Sequence, residues 1–130
     1  LYLLAMKKLY FLIAFAGAVV LSSSKLADCN ILKNNAFKYK VGSKDVLVQF
    51  GEDEYIEYHE NKKYFIKSDI EWLTECEYKL IIQESTLPNF PFKTGTTMRI
   101  KIDRVKGKKV YYTAKLGGRS WEWRMTKVNK

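Results

Sequence analysis

The chain reads as an all-β protein: an antiparallel up-and-down meander closing into a small barrel, preceded by a helical signal peptide. Three observations lead there. Apolar and polar residues alternate with a period of two from about residue 35 onward, turn residues punctuate that alternation at short intervals, and one apolar run with a basic flank stands near the N-terminus. The 130 residues suffice for one domain, and a hydrophobic content of 47% is enough for a core. This composition argues against disorder, no segment repeats at a solenoid period, and a large multi-domain enzyme is not expected.

The N-terminal element comes first. Met6-Lys7-Lys8 precedes the apolar run Leu9 to Leu21, and Ser22-Ser23-Ser24 follows it. A basic start, a short apolar stretch and small residues are the parts of a secretory signal peptide, and the run is shorter than the ~20 residues a spanning helix needs. The expected division is therefore 1–24 as signal peptide, with 1–5 an upstream extension, and 25–130 as a single β-rich domain. Leu26-Ala27-Asp28-Cys29 resembles a lipoprotein acceptor box, but Asp28 stands where a small residue is usual, so anchoring at Cys29 is the less favoured reading. Without 1–24 the chain keeps 21 basic and 14 acidic residues, a net charge of +7. The expected location is exported: periplasmic, envelope-associated or secreted, with no stable membrane span after processing.

In such a compartment Cys29 and Cys76 are more economically paired than free, two buried thiols being the alternative. A zinc site lacks its ligands, because two thiols and His59 do not have the clustered spacing that the metal requires.

The strands follow in order. Phe37, Tyr39 and Val41 alternate with Lys38 and Lys40; Val46, Val48 and Phe50 oppose Leu47 and Gln49. Tyr64, Ile66, Ser68, Ile70 and Trp72 oppose Phe65, Lys67, Asp69 and Glu71, and Tyr78, Leu80 and Ile82 oppose Lys79, Ile81 and Gln83. Met98, Ile100 and Ile102 alternate with Arg99, Lys101 and Asp103, and Trp121, Trp123 and Met125 with Glu122, Arg124 and Thr126. The side chains expected inside are Phe37, Val48, Ile66, Trp72, Tyr78, Leu80, Ile100, Tyr112, Trp121 and Trp123, since a one-residue slip would expose the whole apolar set. Tyr39, Tyr58 and Tyr64 are assigned to the same inner phase.

Turns are expected at Gly42-Ser43, Gly51-Glu52-Asp53, Glu60-Asn61, Gly107-Lys108 and Gly117-Gly118. About eight strands with short connections make a meander. Closure into a barrel, lipocalin-like or related, removes the two exposed edges that an open sheet would leave, and a β-sandwich is the alternative. Residues 85–97, with Pro88, Pro91 and Gly95, form an extended loop rather than a central strand.

Cys29-Asn30-Ile31-Leu32-Lys33, Phe37-Lys38-Tyr39, the run Ile70-Glu71-Trp72-Leu73-Thr74-Glu75-Cys76-Glu77-Tyr78-Lys79-Leu80 and Met98-Arg99-Ile100-Lys101-Ile102 together resemble a family of small exported bacterial proteins of unknown function. The most specific piece is Trp72, Cys76 four residues on, and the Glu77-Tyr78 pair that follows. The resemblance implies export, a β-rich fold and paired cysteines, and brings no catalytic residues. The chain departs from the family pattern at Asn34-Asn35-Ala36, where small residues are expected.

Chemistry-bearing motifs are sparse. A phosphate-binding glycine loop, a nucleophile elbow, a two-residue-spaced thiol pair and a metal-binding helix motif are all missing from the sequence. His59 reads as a solvated turn residue, and Glu52, Asp53, Glu54, Glu57 and Glu60 as the charges of a solvated hairpin. No catalytic residue, metal or cofactor is expected, and the chain is read as a non-enzyme. Arg99, Lys101, Lys115 and Arg124 lie on the polar phase and form a candidate anion-binding face. Tyr58, Trp72, Trp121 and Trp123 form a candidate pocket for a small apolar ligand, against the simpler role of filling the barrel.

The function expected is an exported, non-catalytic binding or interaction domain of the cell envelope. An inhibitor of a secreted enzyme, presenting Thr86 to Gly95, and a carrier of a small apolar ligand are the alternatives. The partner would be an anionic envelope component or a secreted protein.

Overall fold

A computed structural model describes residues 28–129, so the expected signal peptide at 1–24 lies outside the described residues. After a short 3-10 turn, Cys29–Leu32, come eight strands: β1 (Ala36–Val41), β2 (Lys44–Phe50), β3 (Glu54–His59), β4 (Tyr64–Thr74), β5 (Glu77–Ser85), β6 (Thr97–Lys106), β7 (Lys109–Leu116) and β8 (Arg119–Val128). Each pairs antiparallel with its sequence neighbour, and β1 pairs with β8, closing the barrel. Period-two patterning and turn chemistry therefore lead to the meander that is observed. The hairpin loops at Gly42, Gly107 and Gly117 each carry a positive φ of about 60°, which suits the primed turns of two-residue hairpins. Residues 86–96 connect β5 to β6, as the prolines require.

One end of the barrel is plugged. Asp28 caps the 3-10 turn by accepting from the Asn30 amide at 3.2 Å, and the turn inserts Leu32, fully buried, into the core. The Cys29–Cys76 disulfide, with Cα atoms 5.3 Å apart, ties this plug to the β4–β5 turn. The Ile102 amide donates to the Cys76 carbonyl at 2.8 Å, and the Phe50 amide to the Asn35 carbonyl at 3.0 Å, fastening the plug's surroundings to the wall. Above it, Phe50 meets Phe37, Tyr55 and Tyr78 edge to face at 5.6, 5.1 and 5.7 Å between ring centroids. Such contacts contribute about 0.5–1.5 kcal/mol each beyond the area they bury.

Of the side chains expected inside, Phe37, Val48, Tyr78, Leu80 and Ile100 are buried, while Ile66, Trp72 and Tyr112 are half-buried. Trp121 and Trp123 are a correction: they are 40% and 47% exposed. Tyr58 is another. Tyr55 is buried beside Phe50, so alternation along β3 places Tyr55, Glu57 and His59 on the inner phase and Ile56 and Tyr58 on the outer one. Tyr58 is half-buried there, under the Lys62 ammonium at 5.2 Å.

Candidate functional site

The barrel closes unevenly. β1 and β8 share only three register pairs, Ala36 with Val128, Phe37 with Lys127 and Lys38 with Thr126, all near the plugged end. Beyond them the remainder of β1, Tyr39 to Val41, pairs with β2 alone, and Arg119 to Met125 pair with β7 alone. A seam therefore opens toward the end carrying the Gly42 and Gly117 turns. Behind it lies a cavity of ≈ 320 Å³. The size falls at the lower end of ligand pockets, which span about 300–1,000 Å³. Val41, Trp121 and Trp123, three of the five large exposed apolar side chains among the described residues, all line this cavity. Trp123 stands across the ladder from Tyr112, and Trp121 across from Ala114.

The cavity's walls are apolar at Leu80, Met98, Ile100 and Met125, and its charged groups are Glu57 and, on β1, Lys40. The Tyr39 hydroxyl donates to Glu57 Oε1 at 2.6 Å, the Tyr55 hydroxyl donates to Oε2 at 3.1 Å, and His59 Nε2 lies 3.2 Å from Oε1. The Glu57 and His59 side chains are 14% and 19% exposed, which corrects the reading of both as solvated hairpin residues. Period two is the reason: once Tyr55 is inside, Glu57 must be also. The run of acids around it hid that phase, because five carboxylates in nine residues look like a solvent-facing turn.

Burial is the main cause that pushes the Tyr39, Tyr55, Tyr78 and Tyr112 hydroxyls well above the ordinary phenol range, and the negative charge of Glu57 adds to it. These phenols stay protonated, so Tyr39 and Tyr55 serve as donors to the carboxylate rather than as nucleophiles. Among the described residues no group of three or more His, Cys, Asp or Glu is placed to hold a metal ion.

Trp121 and Trp123 thus share a cavity, whereas the other two candidates stand apart from it. Trp72 packs on Tyr78 at 5.0 Å, with the Lys33 ammonium 5.7 Å from its ring, and Tyr58 faces outward. Tyr39 and Tyr112 were expected on the inner phase without being named for the pocket, and Glu57 was missed. Its inward direction needed β3 to be registered against β2 first.

The basic candidates lie on the outer wall. Arg99 opposes Lys115 across β6 and β7, and Lys101 opposes Thr113. These side chains line a groove together with Glu77 and Asp103. Glu77 accepts from Arg99 Nε at 2.7 Å, and the Arg99 guanidinium holds the Glu77 carboxyl below its usual range. Arg124 stands opposite Tyr111, away from this groove and beyond Glu122 on its strand. The four candidates are therefore three neighbours, interleaved with acids, and one outlier.

The 86–96 loop is held at both ends. Thr86 and Phe65 exchange bonds, the Thr86 amide to the Phe65 carbonyl at 3.0 Å and the Phe65 amide to Thr86 Oγ1 at 2.9 Å. Ile82 exchanges backbone bonds with Thr96 and Gly95, and Phe90 and Phe92 meet edge to face at 5.5 Å.

Comparison with protein-family models, with curated proteins and with solved structures finds no match to this chain. Among the described residues, no helix is long and apolar enough to cross a membrane.

Proposed function

We propose that this protein is an exported binding domain that holds a small, largely apolar ligand in the cavity behind the β1–β8 seam. One observation carries the reading: two tryptophans and a valine that the hydrophobic effect should drive inside stand exposed, and all three border the same cavity. Filling it would cover their apolar faces, and burial contributes roughly 25 cal/mol per Å². The paired cysteines and the apolar leader with its basic flank support export to an oxidising compartment.

The test uses the disulfide-bonded protein from Lys25 onward and the uncharged fluorophore N-phenyl-1-naphthylamine. Saturable binding is expected, nearly independent of salt, and lost in Trp123→Ala while the circular dichroism is kept. Binding that survives both Trp121→Ala and Trp123→Ala would overturn the assignment to this cavity.

A second reading places the interaction on the outer face, where Arg99 and Lys115 stand side by side on neighbouring strands. An acidic polymer would bind there with affinity falling steeply as salt rises, because neutralised charges release counterions.

A further inference from the structure

If the cavity is a ligand site, the reading on which this inference rests, its lining restricts what the ligand can be. A carboxylate and a set of electron-rich rings face the same space. Glu57 takes bonds from Tyr39, Tyr55 and His59, three of the roughly four lone-pair positions a carboxylate offers. Among the described ion pairs it has no lysine or arginine partner, and its one partner there is His59. Lys40 also borders the cavity, but its side chain is exposed.

An anionic ligand would be repelled by this carboxylate. A bare metal ion would find one carboxylate among protonated phenols, too few oxygens for calcium or magnesium. A cation with an apolar surface meets neither obstacle. The faces of tryptophan and tyrosine attract ammonium groups, by about 2 kcal/mol or more once both are out of water, and a carboxylate at the same site adds Coulomb attraction. We propose that the cavity takes a small organic ammonium cation, its charged nitrogen toward Glu57 and the ring of Tyr112, and its apolar part against Trp121 and Trp123.

The experiment compares three probes of nearly equal size on the same protein: benzyltrimethylammonium, its uncharged carbon isostere neopentylbenzene, and benzenesulfonate. Tryptophan fluorescence follows binding at physiological ionic strength. The expected result is that the cation binds about tenfold more tightly than its isostere, in line with the energy of a desolvated cation on aromatic faces. Benzenesulfonate is expected to bind weakest. In Glu57→Gln, which keeps an acceptor for the tyrosine hydroxyls, the preference for the cation should shrink to less than about threefold while neopentylbenzene binds as before. Equal binding of cation and isostere to the unmodified protein would overturn the ammonium assignment and leave the cavity reading standing. So would an unchanged preference in the folded Glu57→Gln variant. Failure of all three probes to bind would remove the cavity reading itself, and this inference with it.

Discussion

A carboxylate inside a barrel is tolerated only when its oxygens are bonded, and at Glu57 tyrosines do this work. The same burial gives the protein an alkaline limit. A phenol whose folded pKa is raised keeps its proton when the unfolded chain loses it, so above about pH 10 the folded state binds more protons than the unfolded one. Stability is then full below the ordinary phenol pKa and falls as pH rises, by about 1.4 kcal/mol per pH unit for each such group. Tyr39, Tyr55, Tyr78 and Tyr112 all contribute in this direction. Spectrophotometric titration of the protein from Lys25 onward should show these four phenols ionising together with loss of the fold. Four independent, reversible ionisations near the ordinary pKa in a folded protein would contradict this. The inward positions of Tyr55 and Glu57 were not legible in the sequence: a phase read from Tyr58 turns both outward, and only the pairing of β3 with β2, which sets Tyr55 opposite Phe50 and Glu57 opposite Val48, decides it.

At the scale of elements, the 3-10 plug depends on a covalent tie. The disulfide spans a sequence separation of 47 residues. Chain-entropy arguments put the stabilisation from closing a loop of this size at about 4 kcal/mol. The double variant Cys29→Ser/Cys76→Ser should therefore unfold at markedly lower denaturant, by about that amount in free energy. An unchanged midpoint would show that Leu32 is held by packing alone. The seam makes a separate prediction. Strand edges without a partner open locally at low cost, so amides on the seam side of Tyr39–Val41 and Arg119–Arg124 should exchange with solvent well ahead of those in the β4–β5 ladder. Uniform protection around the barrel would mean that β1 and β8 are zipped along their length in solution. Short strand alternation made these elements legible. The bulges between Lys67 and Ser68, Trp72 and Thr74, and Ile102 and Arg104 were not, because a one-residue insertion against a partner strand exists only once the strands are paired.

For the molecule as a whole, the excess of basic residues is spread over the outer wall and partly compensated there. Glu77 holds Arg99, and Asp103 accepts from the Thr113 hydroxyl at 2.6 Å within the same groove. Reversing Lys101 and Lys115 to Glu should lower affinity for an acidic polymer such as heparin and flatten its salt dependence. The fold should be left within about 0.5 kcal/mol per site, as is usual at exposed positions. Heparin binding that is insensitive to these reversals would place any anion contact elsewhere, with Arg104, Lys106 and Lys108 the next basic cluster in sequence.

The barrel followed from the chain alone. Alternating side chains commit each strand to one buried face, glycines and prolines mark where the strands end, and a meander of eight strands is relieved of its edges by closing. The pairing of Cys29 with Cys76 was legible for a similar reason, as two cysteines in a chain expected to be exported have one economical partner each. What only the tertiary structure decided was how completely the barrel closes and what faces the gap. The three-pair junction of β1 with β8 depends on stagger summed around all eight strands, a long-range quantity that no local pattern carries. That stagger leaves Trp121 and Trp123 at an opening although their phase is inward, and it sets Glu57 behind them.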